Sequence, residues 1–370
     1  MAGDAQAPLR RGWTTGACAV AAARAAFSAL LTGRFPDPVT IRLPRGQAPR
    51  FALALAERRD GVARAGILKD AGDDPDVTHG ALIVAELAWG TPGSGIRFRA
   101  GAGVGTVTRP GLPLAVGEPA INPAPRAMIA AALADVAEAN GAPPPDLVVT
   151  IAIPGGEALA ERTMNARLGI IGGLSVLGTT GVVVPYSCAS WIHAIHRGID
   201  VARAAGLEHI AAATGTTSER AVQRLYSLSD QALIDMGDFA GGTLKYLRRH
   251  PVRRLTVAGG FAKLAKLAQG NLDLHSSRSR LDGDALAGLL AAVGGGPVAV
   301  AAARRGESAA AVLDSAGEHR AALAAAVARQ AREVALATLS GDIGVEVAVV
   351  GRDGDILARS GGADFPGAAA

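Results

Sequence analysis

At 370 residues, 49% hydrophobic and 19% charged, the chain is long enough for two globular domains and too apolar to be disordered. Its formal charge of +4 is mild, its arginines are scattered and only 4% of its residues are aromatic, which argues against a nucleic-acid partner and suits an acidic small molecule. Two cysteines, Cys18 and Cys188, exclude a disulfide framework or a multi-cysteine metal site, and the opening MAGDAQAPLRRGW has no apolar signal core. The apolar stretches 168–185 and 286–303 are broken by glycines, so no membrane span is expected. A soluble cytoplasmic protein with no membrane partner is the expectation.

The first part reads as mixed α and β. Thr14 and Thr15 precede ACAVAAARAAFSALL, a helix with a threonine cap and Gly33 as its stop. VTIRL (39–43), RFALALAE (50–57) and VARAGIL (62–68) read as strands, with Asp60-Gly61 a hairpin turn between the last two. A helix is expected from Val77 to Trp89, then strands joined by a glycine turn in GIRFRAGAGVGTVTRPG. Pro125 opens a further helix, ended by Gly141. APPPD (142–146) is the expected domain boundary, giving an α+β domain at 1–145 and a Rossmann-like α/β domain at 146–370.

Beyond that boundary one pattern repeats: apolar strand, small-residue loop, helix. It occurs in LVVTIAI with PGGE, in HIAAA with TGTTSE and in RRLTVA with GGFAKLAKLA. A fourth strand is expected in GPVAVAAA, and a C-terminal hairpin around Asp353-Gly354. Such alternation specifies a parallel sheet flanked by helices, whose ligands sit at the carboxyl ends of the strands.

Four segments carry candidate chemistry. TGTTSERAV has the S/T-x-x-E form of a capping box at Thr216 to Glu219, either a plain helix cap or an anion site at Gly215-Thr216. Pro154-Gly155-Gly156-Glu157 could cradle a nucleotide with Glu157 on ribose hydroxyls, though it lacks the full G-x-G-x-x-G pattern. KDAGDDPDVTHG gathers Lys69, Asp70, Asp73, Asp74, Asp76 and His79, either a site for protons or a metal, or a solvated turn capped by Asp76. His193 and His196 suggest no third metal ligand and read as structural.

The run 165–187, NARLGIIGGLSVLGTTGVVVPYS, sets Gly169, Gly172, Gly173, Gly178 and Gly181 in an apolar stretch. Glycine there serves either close backbone approach to a ligand or tight turns in a crowded core. Thr-Thr-Gly occurs both at 14–16 and at 179–181, and reads as chance recurrence.

GWTTGACAVAAARAA, KDAGDDPDVTHGALI, GEPAINPAPRAMI, NARLGIIGGLSVLGTTGVV, GTTSERA and KLAKLAQGNLDLHS stand in one order along the chain. Together they resemble the cobalt-precorrin-5B C(1)-methyltransferase family of the CbiD type, from about Gly12 to about Ser276. The resemblance implies an S-adenosylmethionine-dependent C-methyltransferase of anaerobic cobalamin synthesis. It would methylate carbon 1 of cobalt-precorrin-5B to give cobalt-precorrin-6A, with the cobalt entering with the substrate and no protein-held metal. The chain departs from the pattern at Phe261-Ala262, where a histidine is expected, at Trp13 for Tyr and at Ala17 for Thr.

On this reading the partner is an anionic cobalt-corrinoid, and a homo-oligomer is compatible with it. His79, with Asp74 and Asp73, is the expected catalytic group, His79 as proton acceptor. Gly155, Gly156, Glu157, Gly172, Gly173, Thr179, Thr180, Gly215 and Thr216 are expected at the cofactor. Lys69, Arg126 and Arg167 are expected to take the ring carboxylates. The rival functions are a nicotinamide-dependent oxidoreductase and a tetrapyrrole-binding carrier.

Overall fold

The computed structural model describes residues 8–365. It separates into two compact units, Met1–Cys188 and Ala189–Ala370.

The first unit is built on a five-stranded mixed sheet. Its strands run in the order Leu55–Arg59, Val62–Leu68, Leu82–Trp89, Leu147–Ala152, Ile96–Ala100. All pairs are antiparallel except the last. The period of two is plain in the buried sets Ala63, Ala65, Ile67 and Leu147, Val149, Ile151. Those residues share one core with the helices Thr15–Thr32 and Pro123–Ala139. The first helix starts as expected, with the Thr14 hydroxyl accepting from the Ala17 amide, and stops at Gly33 in the left-handed region, φ 78°. Seven of the ten residues from Ala17 to Ala26 are alanine, which lets sheet and helix approach closely. It is the one described helix long and apolar enough to cross a membrane, and 78% of that window is buried inside the protein.

The second unit carries a five-stranded sheet in the order Leu233–Asp235, His209–Ala213, Arg254–Gly260, Gly344–Val350, Ile356–Ser360. The first four strands are parallel and the last closes the expected C-terminal hairpin. One face packs into a large core with the helices Ala240–Leu247, Phe261–Ala268 and Arg320–Leu339. The helix Thr216–Tyr226 covers the other face over a small cluster of Ala211, Ala213, Val222 and Ala258.

Five expectations are corrected. Residues 77–89 are a turn followed by the strand Leu82–Trp89, because a short apolar run satisfies both periods and its neighbours on the sheet decided it. GPVAVAAA is the helix Pro297–Arg304, with proline in its first turn and alanine favouring helix once no sheet edge recruits it. VTIRL forms only the two-residue strand Val39–Thr40, and RFALALAE splits into Arg50–Phe51 and Leu55–Arg59. The boundary falls at 188/189 and not at 145/146, since Leu147–Ala152 is inserted between two strands of the first sheet. Finally, Gly215 and not Thr216 is the N-cap of its helix, and no side-chain cap bond forms there.

Candidate active site

The segment 69–80 links two adjacent strands of the first sheet, and its own carboxylates hold its shape. Lys69 is buried, with its ammonium 2.7 Å from Asp76 Oδ2. The other oxygen of Asp76 accepts from the Thr78 amide at 2.8 Å and the Thr78 hydroxyl at 2.6 Å. Burial pushes the Asp76 carboxyl up, but these bonds from Lys69 and Thr78 outweigh it, and the group lies below its ordinary range.

The N-terminal segment is tied to the same loop. Asp70 takes both arms of the Arg10 guanidinium and the Gly72 amide, which together lower its carboxyl to about 2. Asp73 Oδ2 accepts from the Arg10 amide at 2.6 Å. A Cβ on Gly12 would lie 2.0 Å from the Ala71 carbonyl carbon, so only glycine permits that backbone approach. Asp74 Oδ1 accepts from the Tyr186 amide at 2.8 Å, which pins the end of the glycine run. Each carboxylate of the cluster therefore has a structural partner.

His79 is half exposed, and its Nδ1 accepts from the Ala71 amide at 3.2 Å. The neutral ring then carries its proton on Nε2. To take a proton it must give up the Ala71 bond; as it stands it is a donor. Asp73, Asp74, Asp76, His79 and Arg162 line one cleft of about 410 Å³. The structure thus brings together the three expected catalytic residues and adds Arg162, whose only sequence signal is its place in the PGGEALAERT segment.

The glycine run is explained by the chain's own packing. A Cβ on Gly173 would stand 2.4 Å from the Gly103 carbonyl, one on Gly178 would strike the Thr14 side chain at 2.3 Å, and one on Gly181 would reach Leu43 at 2.5 Å. Gly172 has φ 84° with open space around it and serves a turn. The two Thr-Thr-Gly segments meet. Thr14 N donates to Gly181 O at 3.0 Å, and the Thr15 hydroxyl bonds both the amide and the carbonyl of Leu177. Thr180 turns its hydroxyl to the Val182 backbone at 3.3 Å, while Thr179 is exposed.

The remaining expected residues are distributed differently. Gly155 and Gly156 follow a strand of the first sheet, and Glu157 Oε1 accepts from the Gly103 amide at 2.7 Å, so the PGGE loop is braced against Gly103. Gly215 and Thr216 lie in the second unit, at the carboxyl end of its parallel sheet, where Lys263 Nζ donates to Thr214 O at 2.9 Å. The expected cofactor set is therefore divided between the units. Lys69 is spent on Asp76. Arg126 bonds Ile121 O, Pro119 O and Glu118 Oε2 at 2.7, 3.0 and 2.8 Å and stacks on Phe98, leaving it no open fork. Arg167 is half-buried and already engaged. His196 stacks on Tyr246 at 3.8 Å, and burial lowers its pKa, in keeping with a structural role. Among the described residues no group of three or more His, Cys, Asp or Glu side chains is placed to hold a metal.

The segments that build this cleft lie within a longer stretch that matches a known family. Residues 2–185 match the CbiD family and residues 273–361 match the CbiD C-terminal domain. A cobalt-precorrin-5B C(1)-methyltransferase of Methylorubrum extorquens is 61% identical over 95% of this chain and 97% of its own. The chain belongs to the CbiD family. Proteins of the same name from a Bradyrhizobium species and from Paramagnetospirillum magneticum are 60% and 59% identical, each covering 96% of this CbiD chain and 95% and 98% of their own. A crystal structure of a cobalamin biosynthesis protein (cbiD) from Archaeoglobus fulgidus aligns with 73% of this chain and 83% of that one, at 28% identity and a TM-score of 0.39.

Proposed function

We propose that this protein is an S-adenosylmethionine-dependent methyltransferase that methylates carbon 1 of cobalt-precorrin-5B in cobalamin biosynthesis. One observation carries the reading: a relative of that name is 61% identical to this chain across nearly all of both sequences. We read the second unit as Rossmann-like on its four parallel strands, and the enzyme as cytoplasmic.

S-adenosylmethionine supplies a methyl group already activated by a positively charged sulfur. The chain's task is then alignment, which can be worth roughly 7–11 kcal/mol. The cleft beside residues 69–80 suits that task because its walls are rigid. Asp70, Asp73 and Asp74 tie it to the N-terminal segment and to Tyr186, and the Lys69–Asp76 pair holds it from beneath. We assign His79 hydrogen-bond donation through Nε2–H to an acceptor on the bound ligand, and not base catalysis, because its Nδ1 lone pair is occupied. The cobalt is part of the substrate.

The test is incubation with methyl-labelled S-adenosylmethionine and the cobalt-containing precursor, followed by mass analysis of the ring. One labelled methyl on carbon 1 is expected, together with calorimetric binding of S-adenosylhomocysteine and none of NAD. An unmodified ring, or NAD binding in place of the adenosyl ligand, would sink the reading.

A further inference from the structure

Arg162 stands apart from the other basic side chains considered for ligands. Lys69 and Arg126 are consumed by the protein, whereas no described residue forms a hydrogen bond or ion pair with the Arg162 guanidinium. It is exposed and lines the 410 Å³ cleft, a volume that suits a single small molecule.

The rest of the lining decides what that molecule is. Both oxygens of Asp76 are bonded. Asp73 and Asp74 each use one oxygen on a backbone amide and keep the other without a bond to a described residue. The open chemistry is thus one guanidinium and the His79 Nε2–H beside two carboxylate oxygens. Even with Lys69 set against Asp76, carboxylates outnumber cations. A ring carrying several carboxylates is repelled by such a wall, while a ligand of net positive charge with a single carboxylate is held at both ends.

Of the two molecules in the proposed reaction, only S-adenosylmethionine has that character: a sulfonium, an α-ammonium and one α-carboxylate. We propose that Arg162 binds the α-carboxylate of S-adenosylmethionine in this cleft, with Asp73 Oδ1 and Asp74 Oδ2 taking its α-ammonium. The proposal rests on the methyl-transfer reading above and places the methionyl end of the donor in the first unit. Arginine suits the carboxylate through its planar fork.

Calorimetry with S-adenosylmethionine and with 5′-methylthioadenosine, which lacks the amino-acid group, tests it on the full chain. Arg162→Gln is expected to weaken S-adenosylmethionine roughly 10- to 100-fold, the range of a hydrogen bond to a charged group. It should leave methylthioadenosine unchanged, and Arg162→Lys should recover part of the loss. Unchanged affinity for S-adenosylmethionine in Arg162→Gln overturns the proposal, as does an equal loss for both ligands. A wild-type chain that binds no S-adenosylmethionine removes the methyl-donor reading along with it; a wild-type chain that binds it as tightly as Arg162→Gln removes the arginine alone.

Discussion

Lys69 is only 2% exposed, and Asp76 lies 2.7 Å from its ammonium. Removing one member of a buried pair leaves the other charge without its partner, typically at a cost of about 3–5 kcal/mol. Asp76 is a quarter exposed, so water recovers part of that cost. Lys69→Met is expected to lower the urea midpoint by the equivalent of about 2–3 kcal/mol with an unchanged m-value; a shift below about 0.5 kcal/mol would show that the pair is not needed. Asp70 differs, because nearly half of it meets solvent and its bond to Arg10 is screened. Its carboxyl lies at about 2 in the folded chain, below the ordinary carboxylate value. The stability it adds is complete above about pH 4 and is lost as the pH falls through about 2. Asp70→Asn should therefore show a small Tm deficit at neutral pH that closes toward pH 2, and a deficit independent of pH would argue against the Arg10 contact.

At the scale of elements, the glycine run shows how one residue type meets several needs. Gly173 lies against the Gly103 backbone, which cannot give way without moving the strand-to-helix connection beside Ile153. Gly172, one residue earlier, has a left-handed conformation and open space. Gly173→Ala is expected to cost about 2–3 kcal/mol by overpacking, and Gly172→Ala about 1 kcal/mol from the backbone alone. Paired denaturation curves would measure both. Equal costs would mean that the Gly103 contact relaxes freely.

Across the whole molecule each unit has its own core, and the second also buries a polar cluster. Glu346, fully buried, accepts from Arg359 at 2.8 Å, from Tyr226 at 2.7 Å and from Thr256 at 3.1 Å, and Thr256 meets His209 at 2.9 Å. Burial, and then repulsion from Arg254, lowers His209 to about 4. The unfolded chain takes up that proton at about pH 6.5, while the folded chain resists it. Stability is thus undiminished above pH 6.5 and falls between about 6.5 and 4, by on the order of 3 kcal/mol. Replacing His209 by Asn should flatten that slope, and hydrogen exchange should place the acid-sensitive amides within 189–365. A slope that survives the substitution would assign it to other groups.

What the sequence determined by itself was carried by neighbouring residues. The Thr14 cap and Gly33 stop, the Asp60-Gly61 and Asp353-Gly354 hairpins and the strand–loop–helix units at 209–226 and 254–268 all hold, because caps, left-handed turns and hydrophobic period act within a few residues. The family was legible too, since KDAGDDPDVTHG and the glycine run are long enough to be specific. Tertiary structure alone decided that 147–152 joins the first sheet, that 82–89 is a strand and that Gly173, Gly178 and Gly181 serve the chain's own backbone and side chains. It also decided that Lys69 and Arg126 are spent on internal partners while Arg162 is not. The physical reason is the same in each case. A glycine's need for space, or a cation's availability, depends on groups that lie far away in sequence and become neighbours only when the sheet forms.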